Sequence, residues 1–287
     1  KVAVVTGANR DPGIGFEIVR GLARRLPAGS VVILTSRQLA MGEQATATLT
    51  AEGLNVVFHQ LDIADSASVD ALRSFVVGKY GGVDVVVNNS GLAFPLESTT
   101  PFPEQARQTI DVNYYGTKRM MQAFLPLLRP GGRMLGVSSG AGQLGSSWSE
   151  DLRGRLLSEG LTVEQMDGIA EEFVSAAKEG KHKECGFPGT AYGTSKALMT
   201  QLHRVLAKEV ESPPGLVTAL CPGLCRTHMA TGRGTFMSNV LWLASFAVGS
   251  SAAGGADTPL WLCFDVGDDE LGRYHGRFVR NRKVLDY

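Results

Sequence analysis

The sequence predicts an α/β chain built on a doubly wound, mostly parallel sheet with helices on both faces. Three observations predict it. Short continuous apolar runs recur along nearly the whole chain, helix-length segments separate most of them, and a glycine-rich turn directly follows the first run. Continuous runs of Val, Ile and Leu suit strands buried on both faces, and helical segments between them suit the crossovers of a parallel sheet.

The strand runs in order are Val2-Ala3-Val4-Val5, Val31-Val32-Ile33-Leu34, Val56-Val57-Phe58, Val83 to Val87, Met134 to Val137 and Leu216 to Leu220. Arg277-Phe278-Val279 is read as the last strand. No linker rich in Pro, Gly or Ser divides the chain and no internal repeat is present. The expectation is one domain over residues 1–287, carrying insertions near residues 145–187 and 230–256. Ser250 to Gly255 reads as a loop.

Charge and composition narrow the function classes. The 28 basic and 28 acidic residues balance, which gives no electrostatic basis for binding nucleic acid or an anionic membrane. No apolar run reaches the ~18 residues of a membrane span. The nearest, Phe236 to Val248, is interrupted by Ser238, Asn239 and Ser245, and reads either as a buried or lid helix or as a contact surface. Cys185, Cys221, Cys225 and Cys263 show no metal-ligand pairing with the five histidines, so no metal is expected. A reduced, cytoplasmic chain fits this cysteine usage.

The first strand runs into Thr6-Gly7-Ala8-Asn9-Arg10-Asp11-Pro12-Gly13-Ile14-Gly15 and then a helix. Glycines at such a turn let backbone amides approach a pyrophosphate at the helix N-terminus, which points to a dinucleotide. Asp11 followed by Pro12 reads as an N-cap with proline at the first helical position. The second strand ends at Thr35-Ser36-Arg37, where a carboxylate would suit a free ribose 2′-hydroxyl. Arg10 and Arg37 instead offer guanidinium groups that suit a 2′-phosphate, so NADP(H) is expected over NAD(H). Asp62 and Ile63 after the third strand, and Asn88-Asn89-Ser90-Gly91 after the fourth, fall where open α/β sheets bind ligands. Asp62 reads equally as a helix cap, and the asparagines as turn residues.

Tyr192 and Lys196 are four apart and so share a helix face, where an ammonium beside the phenol would favour phenolate. A phenol titrates near pKa ~10 and needs such help to exchange protons near neutrality. The bland alternative is an amphipathic helix with a snorkelling lysine. Ser139 follows the Met134–Val137 run and would face the same pocket. Between Ser139 and the tyrosine lie roughly forty residues beyond the usual link of about 2–6. They are ordered on their own evidence: Thr162-Val163-Glu164-Gln165 is a capping box, Met166, Ile169, Phe173 and Ala177 recur at helical spacing, and Lys178 and Gly180 mark a stop. This helical insertion is expected to pack beside the active site or over an outer helix face.

Taken together these motifs resemble the short-chain dehydrogenase/reductase family, whose fold is Rossmann-type. The resemblance rests on Thr6-Gly7…Gly13-Ile14-Gly15, Asn88-Asn89-Ser90-Gly91, Asp111-Val112-Asn113, Val137-Ser138-Ser139, Tyr192…Lys196 and Cys221-Pro222-Gly223…Arg226-Thr227, and it spans essentially the whole chain. The long insertion is similar to that of the monomeric carbonyl reductase subgroup. The resemblance implies a monomer that reduces a quinone, aldehyde or ketone with NADPH, Tyr192 acting as general acid. It further implies that Ser139 binds the carbonyl oxygen, Lys196 tunes Tyr192 and holds the ribose, and Asn113 supports a water relay. By the same resemblance Cys225, Arg226 and Thr227 contact the nicotinamide side, with Pro222 and Gly223 before them. Gln105 is implied at the substrate entrance, with an exposed helix position as the alternative.

Three departures stand out. Gly7 and Gly13 are separated by two residues more than the family turn has, Gly140 follows the serine where bulk is usual, and Leu224 replaces an aromatic. Gly140 and Leu224 are therefore read as substrate-side positions. Cys221 is read as a redox or ligand thiol or, alternatively, a small buried residue closing a strand. A second function class, a NADPH-binding regulatory or interaction protein that keeps the reductase fold, is carried beside the enzyme.

Overall fold

The computed structural model describes residues 1–95, 97–210, 215–225 and 250–287 of the chain. The strand runs become β1 (Val2–Val5), β2 (Val31–Ser36), β3 (Val56–Gln60), β4 (Val83–Asn88), β5 (Leu128–Val137), β6 (Leu216–Cys221), β7 (Phe278–Arg280) and β8 (Lys283–Leu285). They form one sheet in the order β3-β2-β1-β4-β5-β6-β7-β8. Every neighbouring pair is parallel except β7 with β8.

Alternation along each strand sends side chains to opposite faces, and both faces are covered. Val2, Val4, Ile33, Val86, Met134 and Val217 enter one core. It is closed by α3 (Ser66–Tyr80), α4 (Phe102–Thr109), α5 (Thr117–Phe124), α7 (Val163–Lys178) and α8 (Ala191–Ala207). Ala3, Val5, Leu34, Val87, Leu135 and Leu220 enter the other. That face is closed by α1 (Ile14–Arg25), α2 (Leu39–Ala51) and α10 (Asp257–Phe264). Because β1 lies between β2 and β4, the winding reverses there and opens a crevice at the carboxyl ends of the strands.

The helical insertion forms α6 (Glu150–Leu157) and α7. Thr162 and Gln165 form the expected capping box. The insertion packs over an outer helix face: Glu171 meets Arg107 at 2.9 Å and accepts from the Tyr115 hydroxyl at 2.8 Å, while Tyr114 donates to Asp167 at 2.9 Å. These partners lie on α4 and on the π-helical turn that follows it (Ile110–Gly116). Exposed ion pairs contribute little, so the attachment rests mainly on buried Met166, Ile169 and Phe173. Each such side chain contributes about 1.5–3 kcal/mol on burial.

Four expectations are corrected. β5 starts at Leu128, six residues early, and passes through Pro130-Gly131-Gly132 with a register irregularity against β4. The last parallel strand is followed by β8, a short antiparallel partner that sequence periodicity is too brief to reveal. The Ser250–Gly255 stretch holds the one-turn helix α9 (Ala252–Gly255), capped by Ser251 Oγ accepting from Gly254 N at 3.1 Å. Asp11 does not cap α1; Gly13 holds that position and the helix starts at Ile14, beyond Pro12. The apolar segment Phe236–Val248, and most of the insertion near 230–256, lie outside the described residues.

Candidate active site

The crevice at the strand ends is a cavity of about 320 Å³ bounded by the glycine turn, the ends of β2 to β6 and the start of α8. Its floor is a reciprocal lock between the first turn and the end of β4. Thr6 Oγ1 accepts from the Asn89 and Ser90 amides, each at 2.9 Å. Asn89 Nδ2 donates back to the carbonyls of Thr6 and Gly7 at 2.9 and 3.0 Å. The lock explains the glycines. Gly7 has φ +63°, and a Cβ on Gly15 would sit 2.4 Å from Asn89 Nδ2. A Cβ on Gly13 would sit 2.5 Å from the Arg10 carbonyl, so the lengthened turn folds back on itself.

Asn9, Arg10, Gly13, Ile14, Gly15, Arg37, Asp62, Ile63, Asn89 and Gly91 line this cavity, as does Gly7. The two arginines are exposed, and neither has an ion-pair partner among the described residues. Asp62 is not the cap of α3: Asp65 is, accepting from Ala67 N at 3.0 Å. A glycine-rich backbone cradle at a helix N-terminus, beside two guanidiniums with no ion-pair partner among the described residues, fits a phosphorylated dinucleotide.

At the other end, β5 delivers Ser139 to a short turn, where its Oγ accepts from Ala141 N at 3.2 Å and lies close enough to the Tyr192 phenol to influence its titration. Tyr192 stands in the first turn of α8, which Thr190 caps by accepting from Gly193 N at 3.1 Å. Lys196 follows one turn on, its Nζ 5.8 Å from the Tyr192 ring centre. That Nζ donates to the Val137 carbonyl at 2.8 Å and lies 3.5 Å from Met199 Sδ. Gly91 makes room here, since a Cβ on it would sit 3.4 Å from Lys196 Nζ and 3.3 Å from Asn113 Oδ1.

The electrostatics correct one expectation. Tyr192 is pushed up, not down: burial is the largest cause, the neighbouring Ser139 hydroxyl opposes it, and Cys221 adds to it. The lysine does not favour phenolate here because its ammonium is turned to a backbone carbonyl. Burial also lowers Lys196 itself to about 8, with Cys221 opposing.

Asn113 lies in the π-helical turn, fully buried. Its side chain is consumed by structure: Oδ1 accepts from Leu92 N at 2.7 Å, and Nδ2 donates to Leu92 O at 2.8 Å and Ser195 Oγ at 2.9 Å. Pro222 lines the cavity, and Gly223 follows with φ +80°. Cys221, 4% exposed, accepts through Sγ from Gly140 N at 3.1 Å and Gly223 N at 3.4 Å. Cys225 is buried against the Pro222 carbonyl at 3.3 Å, and burial raises its thiol to about 11.

Gly140 adjoins the serine, and Leu224 is 49% exposed outside the cavity lining. Gln105 is not brought to the cavity: it donates to the Thr100 carbonyl at 2.8 Å within its own helix start. Arg226 and Thr227 lie outside the described residues. Among the described residues no group of histidines, cysteines and carboxylates is placed to hold a metal.

Sequence reasoning gave no role to Thr6 or Ser138. Thr6 makes the lock described above, and its place just before the first glycine was the available signal. Ser138 donates to the Lys196 carbonyl at 3.1 Å and pairs with Thr200 at 2.7 Å, a long-range contact with no local signature.

Comparison with known proteins follows the same lines. The family model described as short chain dehydrogenase matches residues 1–150. Carbonyl reductase [NADPH] 1 of Bos taurus is 40% identical over 292 residues, covering 100% of this chain and 98% of the relative. Carbonyl reductase [NADPH] 1 of Homo sapiens is 41% identical over 288 residues, covering 99% and 97%. Among solved structures, salutaridine reductase from Papaver somniferum is similar with a TM-score of 0.80 at 30% identity, covering 97% of this chain and 99% of that one.

Proposed function

The chain belongs to the short-chain dehydrogenase family, and from that premise we propose that it reduces a quinone, aldehyde or ketone with NADPH, Tyr192 acting as general acid. The carbonyl reductases named above are NADPH enzymes by name and match nearly end to end. When bound, the cofactor supplies the hydride. Gly7, Gly13 and Gly15 line the part of the cavity that would take its phosphates, and Arg10 and Arg37 would answer a 2′-phosphate.

The observation that carries the mechanism is the approach of Ser139, at the end of β5, to Tyr192 of α8, with Tyr192 and Lys196 both lining the cavity. Ser139 orients the carbonyl oxygen and stabilises charge developing on it. Burial keeps the Tyr192 proton in place, the state from which it donates to the forming alkoxide. Lys196, lowered to about 8, is suited to restoring that proton once it turns from Val137 toward ribose and phenol. Asn113, its side chain already spent on Leu92 and Ser195, fixes the wall behind Lys196 and leaves only its main chain for a water relay. Arg226 and Thr227 join the nicotinamide side in this reading, as do Gly223 and Cys225. The regulatory alternative finds no support beside an assembled serine, tyrosine and lysine.

The same reading treats residues 1–287 as one unit that is monomeric and cytoplasmic. The cover of α7 over α4 and the π-helical turn supports the monomer. Four free cysteines support a reducing compartment. No helix among the described residues is long and apolar enough to cross a membrane.

Tyr192→Phe tests the mechanism. NADPH binding, followed by cofactor fluorescence, is expected to persist, while NADPH oxidation with quinones, aldehydes and ketones falls by about 10²-fold or more. Unchanged turnover would sink the assignment.

A further inference from the structure

Gly140 follows Ser139, and the position its side chain would take is bounded by three polar neighbours. A Cβ built there would lie 3.8 Å from Arg280 Nη1, 3.8 Å from Cys221 Sγ and 4.0 Å from Gln143 Oε1. Arg280 arrives by register. It pairs with Cys221 across parallel β6 and β7, and laterally paired residues point to the same face of a sheet. Both residues close their strands at the carboxyl end, the side on which the catalytic serine lies. Cys221 in turn is within electrostatic reach of Tyr192 and Lys196.

Among the described residues nothing answers the charge of Arg280. It makes no hydrogen bond or ion pair among the described residues, whereas Arg282, two positions on, is held by Asp257 at 2.6 and 3.0 Å. The hairpin adds to the imbalance. Asn281 and Arg282 have φ of 48° and 62°, a two-residue turn that sets Arg280 directly opposite Lys283. Like charges directly opposite in an antiparallel pair are destabilising. At the Gly140 position itself, Cys221 and Gln143 supply no negative charge.

We propose that Arg280, backed by Lys283, is a carboxylate-recognition group on the substrate side of the site, so that the preferred substrates are carbonyl compounds bearing a carboxylate. This rests on the carbonyl-reducing reading above. A guanidinium binds a carboxylate through two parallel hydrogen bonds, and an unpaired, partly solvated one needs no existing partner displaced. With no side chain of its own, Gly140 puts no bulk between Ser139 and the Arg280 guanidinium, whose Nη1 is 3.8 Å from where a Cβ would stand.

The test compares formylbenzoates, with the carboxylate ortho, meta or para, against their methyl esters in wild type, Arg280→Ala and Arg280→Glu. Wild type is expected to favour at least one acid over its ester by about tenfold in kcat/KM, through KM, the size of one charged hydrogen-bonded contact. Arg280→Ala should erase that preference with ester turnover unchanged, and Arg280→Glu should invert it. A preference that survives in Arg280→Ala, equal losses on acid and ester, or no preference in wild type would each overturn the proposal. Benzoate binding to the NADPH-loaded proteins by calorimetry separates the two layers. Binding lost in Arg280→Ala supports the subsite even if no aldehyde is reduced, whereas equal or absent binding in both proteins counts against it.

Discussion

His203 illustrates what a single buried group does to this protein. Its ring lies against β5, where a Cβ on Gly136 would come within 2.3 Å of it. Nδ1 is 2.8 Å from the Met199 carbonyl, while Nε2 is buried with no partner among the described residues. Burial pushes the imidazole down from 6.5 to about 4, the Met199 carbonyl opposing and Lys196 adding. Between those values the unfolded chain binds a proton that the folded chain refuses, so stability falls as pH drops from 6.5 to 4 and is unaffected above. The loss should reach about 3 kcal/mol, at roughly 1.36 kcal/mol per pH unit. Urea unfolding at neutral and mildly acidic pH is expected to show it in wild type and to show a smaller change in His203→Gln. Nothing in the local sequence foretells this, because the histidine is defined by contact with a strand far away in the chain. Tyr192 and Lys196 were legible as a pair from their spacing, but the direction of the tyrosine shift was not, since it depends on where the ammonium turns.

Among the elements, α7 is the one most completely written in the sequence. Thr162 Oγ1 accepts from Gln165 N at 3.3 Å, and Gln165 Oε1 accepts from Thr162 N at 3.0 Å. Thr162→Ala should therefore cost about 1 kcal/mol, seen as a lower urea midpoint. Its kcat/KM should not change, because no residue of α6 or α7 lines the cavity. Elements marked by caps or continuous apolar runs were readable, and strand segments held by pairing alone were not. Pro130-Gly131-Gly132 reads as a break, yet β5 runs through it because Leu128 pairs with Val83 across the irregularity. The start of α1 moved past Asp11 and Pro12 for a related reason, since the turn closes on the Arg10 carbonyl rather than on a capping side chain.

At the scale of the whole molecule, the strand runs and the glycine turn made the doubly wound sheet legible, whereas the strand order is seen only in the structure. The site was legible wherever its residues sit at strand ends or on one helix face. Arg280 escaped notice because only the register of β7 against β6 carries it there. If α7 covers the face that would otherwise meet another copy, light scattering after size exclusion should give the mass of one chain across a wide range of concentrations. A dimer or tetramer would refute that role. The insertion also bears on chain entropy. It lengthens the connection from β5 to β6 about twofold, and loop closure grows by only about 0.6 kcal/mol per doubling. Burying Phe173 alone contributes more than that. A crossover can therefore acquire a helical pair at almost no loop-closure penalty, and the cost of ordering the inserted residues, about 1–2 kcal/mol each, is what the new helix must offset with its own apolar face and its own cap.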